Sequence, residues 1–195
     1  MKNIITYTFI LLFIFSGCKK DSTYPAQPLL QNFTEYIIPA GEHYCNQRTV
    51  TPVTLSGISF KVKFDSSAIY TTIDPSNQFD INKLMGFTEG FDPHTNSARI
   101  GWSYNSGALR LYAYAYINGV RMSQEITPVS TNEEIICSII LSGNESIFSV
   151  NNLRVSMPRA VNSLITSGYL LYPYFGGDET APAQICIYIK GPDFY

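Results

Sequence analysis

A row of tyrosines beside an arginine is the part of this sequence best suited to bind a ligand. In the run 109–117, apolar side chains alternate with Arg110, Tyr112, Tyr114 and Tyr116. Successive side chains of a β-strand point to opposite faces, so these four are predicted to share one face. Tyrosine combines a flat ring with a hydroxyl, which suits the apolar faces and hydroxyl edges of a sugar. We therefore predict a glycan-binding face on this strand.

Two more aromatic residues are predicted to extend that face. Trp102 and Tyr104 alternate on the preceding run, and a hairpin through 105–107 would bring them alongside the tyrosine row. A purely structural interpretation is also open, because tyrosine is a common strand residue. In that case, these rings would fill the second core of a two-sheet sandwich.

A second set of residues has the chemistry needed for elimination on an acidic sugar. A polysaccharide lyase needs a base such as His or Tyr, and Arg with Gln or Asn to neutralise a uronate carboxylate. His94, Arg99, Tyr114 and Gln184 carry those groups, while His43 lies in another polar turn. No spacing in the sequence brings them together, so a non-catalytic protein is favoured.

Other catalytic and metal-binding patterns are missing from the sequence. It has no Glu-x-Asp-x-x-Glu strand, Gly-x-Ser-x-Gly elbow, P-loop, HExxH or CxxC. Asp178 and Glu179 follow two glycines and offer oxygens to Ca²⁺, but a solvated acidic turn is the simpler interpretation. With only 2 histidines, a zinc site is not expected either. We expect no metal and no cofactor.

The composition indicates broad, half-buried sheets. Charged residues make up 14% of the chain, well below the usual quarter, and aromatic residues also make up 14%. The aromatic residues are mainly Tyr and Phe, which favour strands. A net charge of −2 gives no basic footprint for nucleic acid.

Apolar alternation and turn signals predict an all-β domain over 32–195, an antiparallel two-sheet sandwich of the jelly-roll type. Asn118 and Gly119 predict a tight type I′ hairpin turn. A helical turn is predicted only at 79–85. The predicted strands are about 33–38, 58–64, 68–73, 97–104, 108–117, 120–127, 133–141, 145–150, 153–157, 168–175 and 184–190.

The N-terminus has the features of a lipoprotein leader. Lys2 precedes an apolar run over 4–15, which is shorter than the roughly 20 residues that span a bilayer. Small residues then precede Cys18, which resembles a lipobox, although Phe15 is bulkier than the usual Leu. The prediction is a signal peptide over 1–17, a lipidated Cys18 and a flexible tether over 18–31. This would place the protein in the cell envelope, attached to the outer membrane on either face.

The remaining cysteines are Cys45, Cys137 and Cys186. Their number is odd, so at most one disulfide can form and at least one thiol stays free. Cys137 lies in an apolar run, which predicts a buried side chain.

Five blocks of the domain resemble a group of uncharacterised envelope lipoproteins. The most distinctive is Tyr172-Pro-Tyr-Phe-Gly-Gly-Asp-Glu-Thr-Ala-Pro182, and the others are 64–74, 97–102, 109–116 and 118–121. The resemblance covers about 33–190 and implies a concanavalin A-like jelly roll. It brings no established activity. In that group a His often follows the Ala-Pro pair, whereas this chain has Ala183 and Gln184.

Taken together, these patterns favour a non-catalytic envelope lipoprotein that binds carbohydrate or assists uptake. Two alternatives stay open from the sequence. One is a polysaccharide lyase or hydrolase with an unrecognised site, and the other is a structural subunit whose aromatic face binds a partner protein.

Overall fold

The computed structural model describes residues 32–195 as two six-stranded antiparallel sheets packed face to face. Two short 3₁₀ turns, Ser66–Ala68 and Pro75–Phe79, lie between strands. The strands are β1 Thr34–Ile38, β2 Pro52–Leu55, β3 Gly57–Phe64, β4 Asn82–Thr88, β5 Ser97–Asn105, β6 Ala108–Ile117, β7 Val120–Val129, β8 Ile135–Ser142, β9 Glu145–Val150, β10 Leu153–Pro158, β11 Thr166–Leu171 and β12 Ile185–Phe194.

The first sheet has the strand order β1-β12-β3-β8-β9-β10, and the second has the order β2-β11-β4-β5-β6-β7. The predicted all-β, antiparallel two-sheet sandwich is therefore confirmed.

The predicted leader, Cys18 and tether lie outside the described residues. Within 32–195, no helix is long and apolar enough to cross a membrane.

The core lies between the sheets and follows the alternation of the sequence. In β3, the side chains of Ile58, Phe60, Val62 and Phe64 are all buried, as that alternation predicts. From the second sheet Trp102 packs against Phe64, with ring centroids 5.4 Å apart. Burial of such large rings supplies much of the driving force for sheet packing.

Two strands were not predicted, and one predicted strand is absent. The run 68–73 forms no strand, and residues 79–85 contain the end of a 3₁₀ turn and the start of β4 rather than a helical turn. Neither β2 nor β4 has clear alternation. In β4 a bulge places Leu84 and Met85 between the pairs Lys83–Gly101 and Gly86–Arg99, so the two-residue period breaks.

The residues of two hairpin turns have the positive φ values that tight turns require. Asn118 and Gly119 both have positive φ, at 52° and 82°, as a type I′ turn requires. Ser106 and Gly107 have positive φ as well, at 49° and 73°.

The three described cysteines are free thiols, and Cys137 is buried in β8 as predicted.

A buried ion pair fastens two loops at one end of the sandwich. Arg159 Nη2 and Glu89 Oε2 lie 2.6 Å apart, with side chains only 2% and 7% exposed. Arg159 also donates to the carbonyls of Gly143 and Ser163. The arginine therefore joins the segment after β10 to the loop between β4 and β5.

Replacing Arg159 by Met is expected to destabilise the fold by about 3–5 kcal/mol, because the Glu89 carboxylate would stay buried without its partner. Urea unfolding measures this loss. Arg154→Met, on an exposed position of β10, is the control and is expected to change stability little. Equal losses in both variants would show that the buried pair contributes nothing specific.

Candidate functional site

The β5–β6 hairpin places an arginine opposite the tyrosine row. Its two-residue turn pairs Asn105 with Ala108, and this register continues to Arg99–Tyr114 and Ser97–Tyr116. Directly paired residues of antiparallel strands point to the same face. Arg99, Tyr114 and Tyr116 therefore share the outer face of the second sheet.

The same register corrects the predicted placement of Trp102 and Tyr104. They pair with Leu111 and Leu109, which face the core. Trp102 is fully buried, and Tyr104 packs against the core from a partly buried position. Their predicted position on the tyrosine face is wrong, because a two-residue turn pairs even-numbered residues of β5 with odd-numbered residues of β6.

Arg110 and Tyr112 lie on the predicted face, but the terminal guanidinium nitrogen of Arg110 and the hydroxyl of Tyr112 already have partners, while Arg110 Nε has none. Arg110 Nη1 lies 2.8 Å from Glu125 Oε1 on β7. The Tyr112 hydroxyl lies 3.0 Å from Ser103 Oγ and accepts a hydrogen bond from Asn105 Nδ2. Both lie outside the groove described next, so the tyrosine row divides into two parts.

A groove of about 590 Å³ opens on the outer face of the second sheet, and Tyr114 and Tyr116 form part of its wall. Its charged lining is strongly unbalanced, since four cationic side chains face one carboxylate, that of Asp178. The cations are Arg48, Lys83, Arg99 and Arg121. The remaining lining residues are Tyr44, Thr49, Val50, Pro93, His94, Ser97, Tyr114, Tyr116, Leu170, Leu171, Tyr172, Pro173, Tyr174 and Gly177. The groove is therefore suited to an anionic ligand with flat, hydroxyl-bearing rings.

Arg99 is a half-buried cation of the groove without a carboxylate partner among the described residues. Its Nη2 donates to the Tyr172 carbonyl, while its Nε is shielded from solvent and has no hydrogen-bond partner. Within residues 32–195, no acidic side chain forms an ion pair with it. Burial lowers its pKa to about 10, so the guanidinium is still charged at neutral pH. A half-buried cation without a counter-charge is suited to an anionic ligand.

A glycine makes room for that guanidinium. Gly86 of β4 faces Arg99 across the strand pair, and a Cβ at Gly86 would lie 2.8 Å from Arg99 Cγ and 2.1 Å from the Ala98 carbonyl oxygen. The stem of Arg99 therefore crosses β4 at the one position without a side chain. Residues on both strands thus determine where the cation lies.

Lys83 lies beside this cation, on the neighbouring strand. Its Nζ is 5.0 Å from the ring centroid of Tyr114 and 5.6 Å from that of Tyr174. Burial lowers the pKa of Lys83 to about 8, and the charges of Arg99 and Arg121 add to this effect, while Asp80 opposes it. Lys83 can therefore lose its proton near neutral pH, as an exposed lysine cannot.

The segment after β11 closes the groove over Lys83. Backbone hydrogen bonds in both directions join Tyr174 to Lys83, at 2.8 and 2.9 Å. Buried Asn82 accepts a hydrogen bond from the Gly176 backbone N–H at 2.8 Å and so holds the next turn. A Cβ at Gly176 would clash with the Ile81 carbonyl oxygen, a backbone atom, as well as with Lys83 Nζ, so a glycine is required there.

The hydroxyl of Tyr114 keeps its proton at neutral pH. Its side chain is 3% exposed, and burial raises the pKa of its hydroxyl, as does a hydrogen bond with Tyr116. The buried Tyr114 is therefore a proton donor at neutral pH rather than a phenolate.

Three of the four residues suggested for elimination do line one groove. These are His94, Arg99 and Tyr114, whereas Gln184 lies outside it. His94 packs edge-on against Tyr116 at 5.3 Å and is 75% exposed. His43 lies behind Tyr174, stacked on its ring, with Nδ1 2.8 Å from the Phe175 carbonyl oxygen.

Lys83 was not among the predicted residues, because β4 itself was not predicted. Arg99 was named without neighbours, although the two-residue turn after β5 was a usable signal for its place opposite Tyr114. Nothing comparable in the sequence indicates that Lys83 lies beside these two residues.

The two acidic residues of the loop after β11 have different surroundings. Glu179 accepts hydrogen bonds from the backbone N–H groups of Ile73 and Asp74, at 2.9 and 2.6 Å, while Asp178 lines the groove. The carboxylate of Glu179 thus serves to hold the 3₁₀ turn.

In the part of the chain that the structure describes, no three His, Cys, Asp or Glu side chains are grouped to hold a metal ion.

No family model and no curated protein sequence matches this chain. Solved structures do resemble it. The alginate lyase vAL-1 from Chlorella virus has a TM-score of 0.53 and 11% identity, covering 84% of this chain and 85% of that one. The alginate lyase AlyC3 has a TM-score of 0.57 and 12% identity, covering 84% and 74%. A family 16 endo-glucanase from Bacteroides ovatus has a TM-score of 0.52 and 9% identity, covering 84% and 80%. These likenesses establish the concanavalin-like jelly-roll fold of the chain.

Proposed function

We propose that this protein is a polysaccharide lyase that cleaves a uronate-containing glycan by β-elimination. The observation that carries the proposal is Arg99, a cation without a carboxylate partner among the described residues, placed between Lys83 and Tyr114 in the groove. These three groups match the three requirements of an elimination: a carboxylate neutraliser, a base and an acid.

Arg99 would bind the carboxylate of the sugar that loses its C5 proton. That carboxylate is attached to C5, so neutralising its charge makes the C5 proton easier to remove. Arginine suits this role because its donors match the geometry of a carboxylate.

Lys83 would act as the base. Its neutral Nζ takes the C5 proton, the electron pair left on C5 forms the C4=C5 double bond, and the bond from C4 to the glycosidic oxygen breaks. The lowered pKa of Lys83, about 8, makes the neutral amine accessible at mild pH. A base near the operating pH is the most effective.

Tyr114 would act as the acid. Its hydroxyl keeps its proton because burial raises its pKa, and it gives that proton to the departing glycosidic oxygen. Its ring centroid lies 5.0 Å from Lys83 Nζ, so the proposed acid and base are neighbours in the groove. Proton exchange with solvent then restores both groups.

The proposed lyase activity differs from the sequence-based prediction, which favours a non-catalytic module. Binding alone requires neither a lysine of lowered pKa nor a buried tyrosine acid beside the carboxylate site. The similar structures include alginate lyases, which makes alginate the first acidic glycan to test. The similar structures also include a family 16 endo-glucanase, but the groove does not favour a hydrolase, because it is lined by one carboxylate rather than a facing pair.

The test is incubation of the full-length protein with alginate, polyglucuronate and hyaluronan, with a neutral β-glucan as the control. Ultraviolet absorbance of the unsaturated product, formed only from an acidic glycan, would support the proposal. Retention of an acidic glycan without product would instead identify a binding module. New reducing ends without the double bond would identify a hydrolase.

We also propose that the protein is anchored in the cell envelope through Cys18. The support is the leader pattern at the N-terminus. The wild-type protein is expected to sediment with membranes, and Cys18→Ser is expected to be released into the soluble fraction. Sedimentation of both proteins alike would reject the lipid anchor.

A further inference from the structure

We propose that a second concavity, beside the groove, is a subsite for the uncharged face of a neighbouring sugar residue in the same glycan chain. Phe91 and Tyr169 form its aromatic wall. The inference rests on the proposed lyase function and extends it, because it predicts that the protein acts on longer chains in preference to short ones.

The concavity has a volume of about 370 Å³ and is lined by β2, β11 and the loop after β4. Phe91 is 86% exposed, which is unusual for so large an apolar side chain. Its ring centroid lies 5.9 Å from that of Tyr169, with the planes tilted by 53°. An exposed ring and a half-buried ring at this distance form a platform for the apolar face of a sugar.

This concavity lies next to the groove along β11, although the two share no lining residue. Tyr169 precedes the groove residue Leu171 by two positions, so both side chains point to the same face, roughly 6.8 Å apart along the strand. Phe91 is likewise two positions from the groove residue Pro93. A glycan chain bound at Arg99 can therefore extend over Tyr169.

The lining of this concavity differs from that of the groove in charge. No charged side chain lies among its lining residues, which are Pro52, Val53, Thr54, Gly90, Phe91, Ser167, Gly168 and Tyr169. Its polar groups include the hydroxyls of Thr54 and Ser167, which lie 2.9 Å apart. The subsite would therefore bind C–H groups and hydroxyls of the sugar, with no cation for its carboxylate.

The loop that carries Phe91 is held in place before any ligand binds. The backbone N–H groups of Glu89 and Gly90 donate to the carbonyls of Asn96 and Ser167, both at 2.9 Å. The side chain of Glu89 is also fixed by the ion pair with Arg159. An aromatic ring presented from a fastened loop loses less conformational entropy on binding than one on a mobile loop.

The experiment compares Phe91→Ala with wild type on alginate polymer and on the shortest alginate oligosaccharide that wild type cleaves. The expected result is a KM about tenfold higher on the polymer, and unchanged kinetics on the short substrate. Phe91→Trp is expected to keep the wild-type KM on both. Phe194→Ala, an exposed position on the other sheet, is the matched control and is expected to behave as wild type.

An equal change on both substrates, or no change on the polymer, would overturn the subsite while leaving the lyase function intact. Absence of unsaturated product from the wild-type protein on every acidic glycan would overturn the lyase function, and the subsite with it. The two failures are therefore distinct.

Discussion

Replacing Arg99 by Ala is expected to lower kcat/KM on the acidic polysaccharide by about 10²–10³-fold, the usual effect of removing one preorganised electrostatic group. The loss follows because the carboxylate on C5 would keep its charge, and the carbanion-like transition state would be left without stabilisation. Absorbance of the unsaturated product measures the rate. The fold should tolerate the change, since Arg99 is bonded to main-chain carbonyls but to no acidic side chain within 32–195.

Arg110→Ala is the matched control, because this arginine lies on the same face, outside the groove, and is paired with Glu125. It is expected to leave kcat/KM nearly unchanged. Arg99→Lys should recover part of the activity, since it restores the charge but not the forked donors. If Arg99→Ala and Arg110→Ala reduce activity equally, the carboxylate does not bind at Arg99.

Replacing Lys83 by Met is expected to lower kcat by about 10²–10⁴-fold, as the loss of a general base does. Methionine keeps much of the side-chain length between Tyr114 and Tyr174 but cannot take a proton. Lys83→Arg tests the loss of the base alone, because arginine keeps its positive charge at all accessible pH values. It should bind the glycan and fail to cleave it. Lys61→Met, on the other sheet, is the control and is expected to be fully active.

The pH dependence of the wild-type protein gives an independent check on Lys83. A base must be neutral to act, so kcat/KM is expected to rise with increasing pH through about 8, the pKa of Lys83 in the free protein. Burial of the amine, which lies near the rings of Tyr114 and Tyr174, contributes most to this lowered pKa. The cations Arg99 and Arg121 lower it further, and the anion Asp80 opposes them. If kcat/KM instead falls as pH passes about 8, Lys83 acts as a charged carboxylate binder and the base lies elsewhere.

The geometry of the candidate site depends on the bulge in β4. The bulge in β4 puts Lys83 and Gly86 on the same face, although regular alternation would place them on opposite faces. Lys83 can therefore approach Tyr114 while the glycine admits the Arg99 side chain. A regular β4 would have turned one of these two positions towards the core.

The sequence by itself determined the all-β class and the hairpin that joins β6 to β7, whereas the predicted register of β5 against β6 was wrong. The class and that hairpin could be predicted because these features depend on alternation and on turn residues, which act over a few positions. Asn118 and Gly119 fix the register of β7 against β6, and the turn at Ser106 and Gly107 fixes β5 against β6. The same local rule places Arg99 beside Tyr114 and sends Trp102 to the core, although the predicted tyrosine face included Trp102.

Only the tertiary structure decided which residues form the groove. Lys83 reaches it from a strand without alternation, and Tyr174 reaches it from a loop bonded back onto that strand. Phe91 and Tyr169 meet although 78 positions separate them (169 − 91). These contacts arise from the order of strands in the sheet, β2-β11-β4-β5-β6-β7. That order is set by the packing of the whole sandwich, because burial of both inner faces selects which distant strands become neighbours.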